Sequence, residues 1–252
     1  MKDASVKLGE RIVLDGVSFE VEKPSLLMVV GPNGAGKTTL IKLMLGMVKL
    51  FKGSVEVLGL NPFTDGLKLK TYVSYVPQKD RVSYEVPLKV GEIVLMGILL
   101  KKRFPRVVSR EDVESARRAL EDLGLGDYWD VPFNELSGGQ QRRVLIARAL
   151  ASNPHVLFLD EVFAGLDVEG QEKLLSVFRE LKKSGRSLVV VEHEFDPIVE
   201  LADKILVLNR TVCVYGDPDD VLNEDKLKNV YPYVKAVERE GRRMVILGDR
   251  HA

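Results

Sequence analysis

An octapeptide of the form G-x-x-x-x-G-K-[ST] constrains the fold of this chain more than any other feature of its sequence. Apolar residues before it, at Leu26–Val30, predict a buried strand, and an apolar stripe after it predicts a helix. Glycines let the loop backbone curl with its N–H groups inward, and a helix N-terminus attracts anions. The pattern therefore predicts a phosphate-binding loop, formed by Gly31, Pro32, Asn33, Gly34, Ala35, Gly36, Lys37 and Thr38.

Short apolar runs alternate with helical patterns along much of the chain, which is typical of an α/β fold with a largely parallel sheet. The run at residues 156–159 and that at 188–191 are continuously apolar, as expected for strands covered by helices on both faces. Residues 4–8 and 11–13 predict an antiparallel hairpin. Further strands are predicted at Leu26–Val30, residues 55–57 and Val73–Val76.

The segment from residue 87 to residue 151 has few strand signals and reads as a helical subdomain inserted into the α/β core. Within it, Ser109 is the expected N-cap of a helix, with Asp112 in the capping-box position, and Gly124 follows as the stop signal. After about residue 217 a short helix is expected. A hairpin is predicted from residues 234–237 and 244–247, with its turn at residues 240–241.

Charge and cysteine content limit the function classes. The chain has 37 basic and 37 acidic residues, so no overall field draws it to nucleic acid. Its single cysteine, Cys213, lies in a predicted strand at residues 211–215 and cannot form an internal disulfide. No apolar run reaches the roughly 18–20 residues that span a bilayer. Any membrane role is therefore expected to depend on a partner.

Two adjacent carboxylates end the apolar run at residues 156–159. Hydrolysis of a phosphoanhydride needs a metal ion near the phosphates and a polarised water. Because neighbouring strand residues point to opposite faces, Asp160 and Glu161 can take different roles. We expect Asp160 to help hold Mg²⁺ and Glu161 to orient and deprotonate the attacking water.

A second glycine-containing motif identifies a family. Leu136, Ser137, Gly138, Gly139 and Gln140 match the LSGGQ signature of ABC ATPases, and the chain resembles that family from about residue 3 to residue 233. Three further elements follow the family order. Gln78 is similar to the Q-loop glutamine, Asp167 closes a segment similar to the D-loop, and His193 is similar to the switch histidine.

The resemblance implies a P-loop NTPase (RecA-like) core with an N-terminal antiparallel β subdomain and an inserted α-helical subdomain. The ATPase domain would span residues 1–233, with its core at 1–86 and 152–220 and the helical subdomain at 87–151. Residues 221–252 would form a C-terminal tail. ATP would be bound by the phosphate loop and Thr39, and Mg²⁺ by Thr38, Gln78 and Asp160. Catalysis would fall to Glu161, His193 and Gln78.

The family pattern also implies partners. Two copies would pack head to tail, so that the signature residues Leu136, Ser137, Gly138, Gly139 and Gln140 act on the nucleotide of the other copy. Integral membrane permease subunits would hold the protein at the inner, cytoplasmic face of the cell membrane. An extracytoplasmic substrate-binding protein would complete the system, and no nucleic acid is expected.

Finer similarity points to metal uptake of the zinc and manganese type. Residues 86–90 and 93–97 resemble the corresponding region of zinc, manganese and iron-chelate uptake ATPases, and the D-loop sequence Phe163-Ala164-Gly165 resembles that of the zinc and manganese group. The alternative is an ATPase of siderophore, haem or cobalamin import. A non-transport ABC ATPase is disfavoured because the chain has no long heptad run and one ATPase domain. Two positions depart from the family: Leu8 where an aromatic residue usually stacks on adenine, and Val162 where proline usually begins the D-loop.

Overall fold

The computed structural model describes residues 1–78, 88–193, 195, 198–228, 230–231, 233–239 and 242–248, the last two ranges by their backbone. It divides into two compact units. Unit 1 comprises Met1–Leu69 and Val189–Ala252, and unit 2 comprises Lys70–Leu188. The predicted subdomain boundary at residues 86 and 87, and the predicted hairpin turn at residues 240–241, lie outside the described residues.

Unit 1 opens with a three-stranded antiparallel sheet. Strand β1 (Lys2–Leu8) lies between β2 (Arg11–Val17) and β4 (Lys52–Ser54). Strand β3 (Leu26–Val30) leads into helix α1 (Lys37–Met44), as the sequence predicts. All five residues of β3 are buried, which explains why its sequence is apolar without alternation.

The predicted strand at residues 55–57 is wrong. The strand lies just before it, at Lys52–Ser54, where all three residues are exposed and Lys52 and Ser54 pair with β1. Val55 and Val57 are buried, but the chain turns directly afterwards through Leu58, and the backbone of Val57 bonds to that of Leu60. The apolar pattern therefore indicated burial of these two side chains and not main-chain pairing.

The C-terminal part of unit 1 pairs with β3. Strand β8 (Lys204–Asn209), which the sequence analysis did not identify, runs parallel to β3 and antiparallel to β9 (Thr211–Gly216). Cys213 lies in β9, as predicted, and is exposed. Short helices α7 (Pro218–Val221) and α8 (Glu224–Leu227) follow. The antiparallel strands β10 (Tyr233–Arg239) and β11 (Arg242–Gly248) then pair at the predicted hairpin.

Unit 2 combines a parallel strand pair with helices. Strand β5 (Val73–Val76) pairs with β6 (Val156–Asp160), and every residue of β6 is buried. Between these strands in the sequence lie α3 (Val90–Leu99), α4 (Arg110–Glu121) and α5 (Gly138–Ala151), and after β6 comes α6 (Val168–Lys183). The chain passes between the units in α2 (Gly66–Tyr72) and in β7 (Ser187–Glu192).

The start of α4 confirms the predicted cap. The Ser109 hydroxyl accepts a hydrogen bond from the backbone N–H of Asp112 at 3.3 Å, and the Asp112 carboxylate accepts one from the Ser109 N–H at 2.6 Å. Leu120 of this helix is fully buried. In the part of the chain that the structure describes, no helix is both long enough and apolar enough to cross a membrane.

Candidate active site

The phosphate loop of unit 1 joins β3 to α1, at the place where the sequence predicts it. Gly31 and Ala35 are buried at its base, while Asn33 and Gly34 are exposed at its tip. Gly36 is the N-cap residue of α1, and no described side chain caps this helix end. The first backbone N–H groups of α1 therefore have no side-chain cap. N–H groups at such a helix start can bind an anion such as phosphate.

Backbone groups of β8 and of the residues after it support the loop. A Cβ at Gly31 would lie 2.1 Å from the Leu208 carbonyl oxygen, so only glycine allows the strand and the loop to approach this closely. The Arg210 N–H donates to the Ala35 carbonyl at 2.8 Å, and the Asp15 N–H donates to the Arg210 carbonyl at 2.8 Å. The loop is thus connected by main-chain bonds to β2 and to the β8–β9 turn.

Lys37 and His193 lie together in unit 1. The Lys37 side chain is buried, and its Nζ donates to the carbonyl oxygens of Gly31 at 2.7 Å and Pro32 at 3.2 Å. The His193 Nδ1 lies 3.3 Å from the same Nζ. Thr38 and Thr39 follow in the first turn of α1 and are half-buried. The fold of unit 1 therefore brings the side chains of Lys37 and His193 into contact, although they are 156 residues apart in the sequence.

Unit 2 carries the acidic strand end. Asp160, the last residue of β6, is fully buried, and the Tyr75 hydroxyl of β5 donates to its carboxylate at 3.2 Å. A buried carboxylate needs such partners, because burial penalises its charged form. The paired strands β5 and β6 thus hold Asp160 in one orientation.

Glu161 leaves the strand in an unusual backbone conformation. Its φ is 52°, in the left-handed region that few non-glycine residues adopt. Two contacts hold it there: the Gln78 amide donates to its carboxylate, and Nη2 of the buried Arg142 donates to its carbonyl oxygen at 2.7 Å. Strained backbone of this kind persists only where the surroundings enforce it, and it is concentrated at functional sites.

The signature motif forms the start of α5. Ser137 is the N-cap, and its hydroxyl accepts from the Gln140 N–H at 3.3 Å while Gln140 Oε1 accepts from the Ser137 N–H at 2.9 Å. The Gln140 amide also donates to the Tyr128 hydroxyl at 3.0 Å. Leu136 is buried, whereas Ser137 and Gly138 are exposed. The motif therefore presents a fixed helix N-terminus at the surface of unit 2.

The D-loop lies against the signature. A Cβ at Gly139 would be 3.0 Å from the Gly165 carbonyl oxygen, so the two segments are in close contact. Asp167 caps α6 by accepting from the Gly170 N–H at 3.0 Å. Val162, which replaces the usual proline, is fully buried, and the Phe163 ring meets Phe178 edge-on at 5.9 Å. The loop is anchored by these apolar side chains.

Four contributing residues had no assigned role in the sequence analysis. They are Tyr75, which contacts Asp160; Arg142, which holds Glu161; Tyr128, which contacts Gln140; and Arg210, whose backbone supports the phosphate loop. The one available signal was the position of Arg142 and Arg143 directly before the apolar run at residues 144–147 of α5. At the family's adenine-stacking position, Leu8 lies at the end of β1, pairs with Arg11 and is exposed.

Comparison with known proteins agrees with this arrangement. The sequence profile described as ABC transporter matches residues 14–164, more than half of the chain. The manganese transport system ATP-binding protein MntB of Bacillus subtilis is 34% identical over 231 residues, covering 92% of this chain and 91% of that protein. The chain belongs to the ABC transporter family, as an ATP-binding subunit. The family resemblance predicted from the sequence is confirmed.

Other relatives of this ABC subunit carry different metals in their names. The zinc transport system ATP-binding protein TroB of Treponema pallidum is 34% identical, covering 91% of this chain and 85% of that protein. The chelated iron transport system membrane protein YfeB of Yersinia pestis is 35% identical, covering 85% and 72%. These names describe the relatives and do not decide which substrate this subunit serves.

Solved structures confirm the predicted P-loop NTPase fold. A dimeric, post-hydrolysis ATP-binding cassette bound to ADP and Pi has a TM-score of 0.76 at 27% identity, covering 86% of this chain and 97% of that one. A chain of an inward-facing ABC transporter assigned to the metal-chelate type has a TM-score of 0.81 at 25% identity, covering 99% and 96%. ATP hydrolysis is the activity of this family.

Support of the phosphate loop by β8 can be tested with two alanine variants. Gly31→Ala should lower the free energy of unfolding by about 3 kcal/mol, because its Cβ meets a backbone carbonyl that cannot move aside. Gly34→Ala is the matched control: its φ is 76° and its Cβ meets nothing, so only the left-handed conformation costs energy, about 1 kcal/mol. Thermal unfolding without nucleotide measures both. Equal melting temperatures would contradict the proposed support.

Proposed function

We propose that this subunit hydrolyses ATP at sites completed by a second copy of itself and thereby drives the uptake of manganese or zinc through a membrane permease. The observation that carries the catalytic part is the end of β6, where Gln78 and Arg142 hold Glu161 in a left-handed conformation beside the buried Asp160. A carboxylate held in one orientation suits the activation of a single water molecule.

The phosphate loop would bind the β- and γ-phosphates through its backbone N–H groups and Lys37. The groups proposed to hold Mg²⁺ are the Thr38 hydroxyl, the Gln78 side-chain oxygen and the Asp160 carboxylate. All three are oxygen donors, the ligand type that Mg²⁺ prefers, and Asp160 is already ordered by Tyr75. The residues present therefore fit the ion, which when bound would neutralise charge on the phosphates.

In the hydrolytic step, water attacks the γ-phosphorus, its proton passes to Glu161, and ADP leaves as the bond to the γ-phosphoryl group breaks. Gln78 would orient this water together with Glu161. His193 would contact the γ-phosphate, since its ring already lies beside Lys37. Closure of the protein around ATP and its reopening after hydrolysis would move the permease.

The second copy would act through the signature motif. Ser137 and Gly138 are exposed, and the hydrogen bonds of this motif within the chain form a helix cap, which leaves a helix N-terminus directed outward. A related cassette is dimeric in the state with ADP and Pi. We therefore assign Ser137 and Gly139 to the nucleotide bound by the partner copy, in a head-to-tail dimer.

The substrate assignment rests on relatives. Manganese and zinc transport ATP-binding proteins share about a third of their residues with this chain over most of its length, which supports a free divalent ion as the cargo. A second candidate is a chelated metal. It is favoured by the structural similarity to a metal-chelate type transporter, whose alignment covers 99% of this chain. In either case permease subunits, at the inner face of the membrane, and an extracytoplasmic binding protein would select the cargo.

Replacing Lys37 tests nucleotide binding. Lys37→Ala removes a charge-assisted contact to the phosphates and should weaken ATP binding by roughly tenfold to 100-fold. Lys42→Ala is the control, because Lys42 lies in the last turn of the same helix, away from the loop. Titration with a fluorescent ATP analogue measures both affinities. Unchanged binding by Lys37→Ala would refute the role of the phosphate loop.

Replacing Glu161 separates binding from hydrolysis. Glu161→Gln keeps the shape of the side chain but cannot accept a proton, so steady-state ATPase activity should fall by about 100-fold to 10,000-fold while ATP affinity is retained. Size-exclusion chromatography with ATP should then show a dimer that does not dissociate. The exposed Glu172→Gln in α6 is the control. Normal turnover by Glu161→Gln would show that another group activates the water.

Uptake measurements test the cargo. A strain that lacks this subunit should lose accumulation of Mn²⁺ or Zn²⁺, measured by elemental analysis of washed cells, and growth should recover when the ion is supplied in excess. The wild-type gene should restore uptake and the Glu161→Gln variant should not. Loss of chelated-iron uptake alone would favour the second candidate. If the deletion strain kept its normal content of manganese, zinc and iron, the proposal that this subunit drives metal uptake would be contradicted.

A further inference from the structure

The loop between α3 and α4 exposes apolar side chains to an unusual degree. Phe104 is 94% exposed, Leu100 70% and Val107 67%. All three lie within eight residues of one another on a single loop of unit 2. An isolated exposed apolar residue needs no explanation, but a cluster of this kind on a small surface marks a contact with another molecule or a membrane.

Exposed arginines alternate with these apolar residues in the sequence of the loop. Arg103, Arg106 and Arg110 are all exposed, and among the described residues no carboxylate forms an ion pair with any of them. The stretch from residue 100 to residue 110 contains five basic residues and no acidic one, in a chain whose overall charge is zero. The loop therefore has a local positive charge, although the net charge of the whole chain is zero.

The two lysines of the loop, Lys101 and Lys102, are less exposed than its arginines. Lys102 Nζ donates to the Val107 carbonyl at 3.0 Å and forms an ion pair with Asp112, which closes the loop onto the start of α4. Lys101 Nζ is buried, and burial lowers its pKa to about 8. Lys102 thus holds the loop to the start of α4 and Lys101 is buried, whereas the arginines and the apolar side chains are exposed.

We propose that Leu100, Arg103, Phe104, Arg106, Val107 and Arg110, here named the Phe104 patch, contact an anionic lipid surface. Apolar side chains would enter the region between headgroups and acyl chains, and the arginines would meet the lipid phosphates. Charge complementarity supports this occupant, since the patch has three outward cations and no anion. Size supports it too: a stable protein–protein interface takes about 20–30 residues on each side, far more than the patch supplies.

The location of the subunit at a membrane rests on the proposed function, but binding to lipid can be measured without a permease. The full chain is sedimented with vesicles of phosphatidylcholine alone, or of phosphatidylcholine with about one third phosphatidylglycerol. We expect binding to the anionic vesicles only, weakened by added salt because the arginine contacts are screened. Equal binding to both kinds of vesicle, or to neither, would overturn the proposal.

Substitutions locate the binding surface. The double variant R103Q/R106Q should lower the partition coefficient about 25-fold, from roughly fivefold for each arginine. Phe104→Ser should lower it about tenfold. The controls are R118Q/R179Q and Phe51→Ser, which change exposed residues outside the patch and should bind as the wild type does. Binding by the patch variants equal to that of the controls would contradict the assignment.

Two further measurements separate this inference from the proposed function. ATPase activity of Phe104→Ser, measured without vesicles, should equal that of the wild type, and Lys37→Ala should bind vesicles normally while losing ATP. If the patch variants bind vesicles like the wild type but fail to co-purify with a membrane protein, the patch is a protein-docking surface and the lipid assignment is wrong.

Discussion

The backbone of β8, with the turn that follows it, lies against the phosphate loop, and the site of unit 1 depends on this contact. Gly31 allows the loop to meet the Leu208 carbonyl, and Arg210 bonds to Ala35 through its backbone N–H. These contacts are made by main-chain atoms, and the Lys37 side chain adds hydrogen bonds to the Gly31 and Pro32 carbonyls within the loop. Lys37 remains at the centre of the loop, close to His193.

The candidate site residues of unit 2 are positioned by buried charged side chains. Asp160 and Arg142 are almost inaccessible to solvent, and each is held by hydrogen bonds to a neighbour: Tyr75 for the carboxylate, and the Glu161 carbonyl for the guanidinium. Removing a hydrogen bond from a buried charged group costs more free energy than removing one at an exposed site. This arrangement also keeps Glu161 in a backbone conformation that it would otherwise avoid.

Sequence reasoning succeeded where one physical signal dominated. β3 was predicted to the residue because its continuous apolar run lies between Ser25 and Gly31. β5 was also predicted to the residue, although its run contains Ser74. It failed at residues 55–57, where burial of two valines resembles a strand although the pairing lies just before them.

The family resemblance supplied the site residues, but it did not reveal the residues that position them. Arg142 and Arg143 are adjacent in the sequence and chemically equal, and only packing decides that Arg142 is the one that bonds to Glu161. Main-chain contacts such as those of Arg210 do not require a particular side chain, so the residue type does not predict them. β8 was not predicted, although residues 205–208 form a continuous apolar run like that of β3.

The cap of α5 has a consequence for how Ser137 can recognise a ligand. Its oxygen accepts from the Gln140 N–H, and Gln140 is itself tied to the Ser137 backbone and to Tyr128. An oxygen already engaged as an acceptor still carries its own hydrogen, which can be donated elsewhere. The cap uses one of the two lone pairs of this oxygen, so the hydroxyl can still donate its hydrogen to the anion that the proposed function assigns to it. A threonine could replace Ser137 here, whereas an aspartate would keep the cap but would repel an anion.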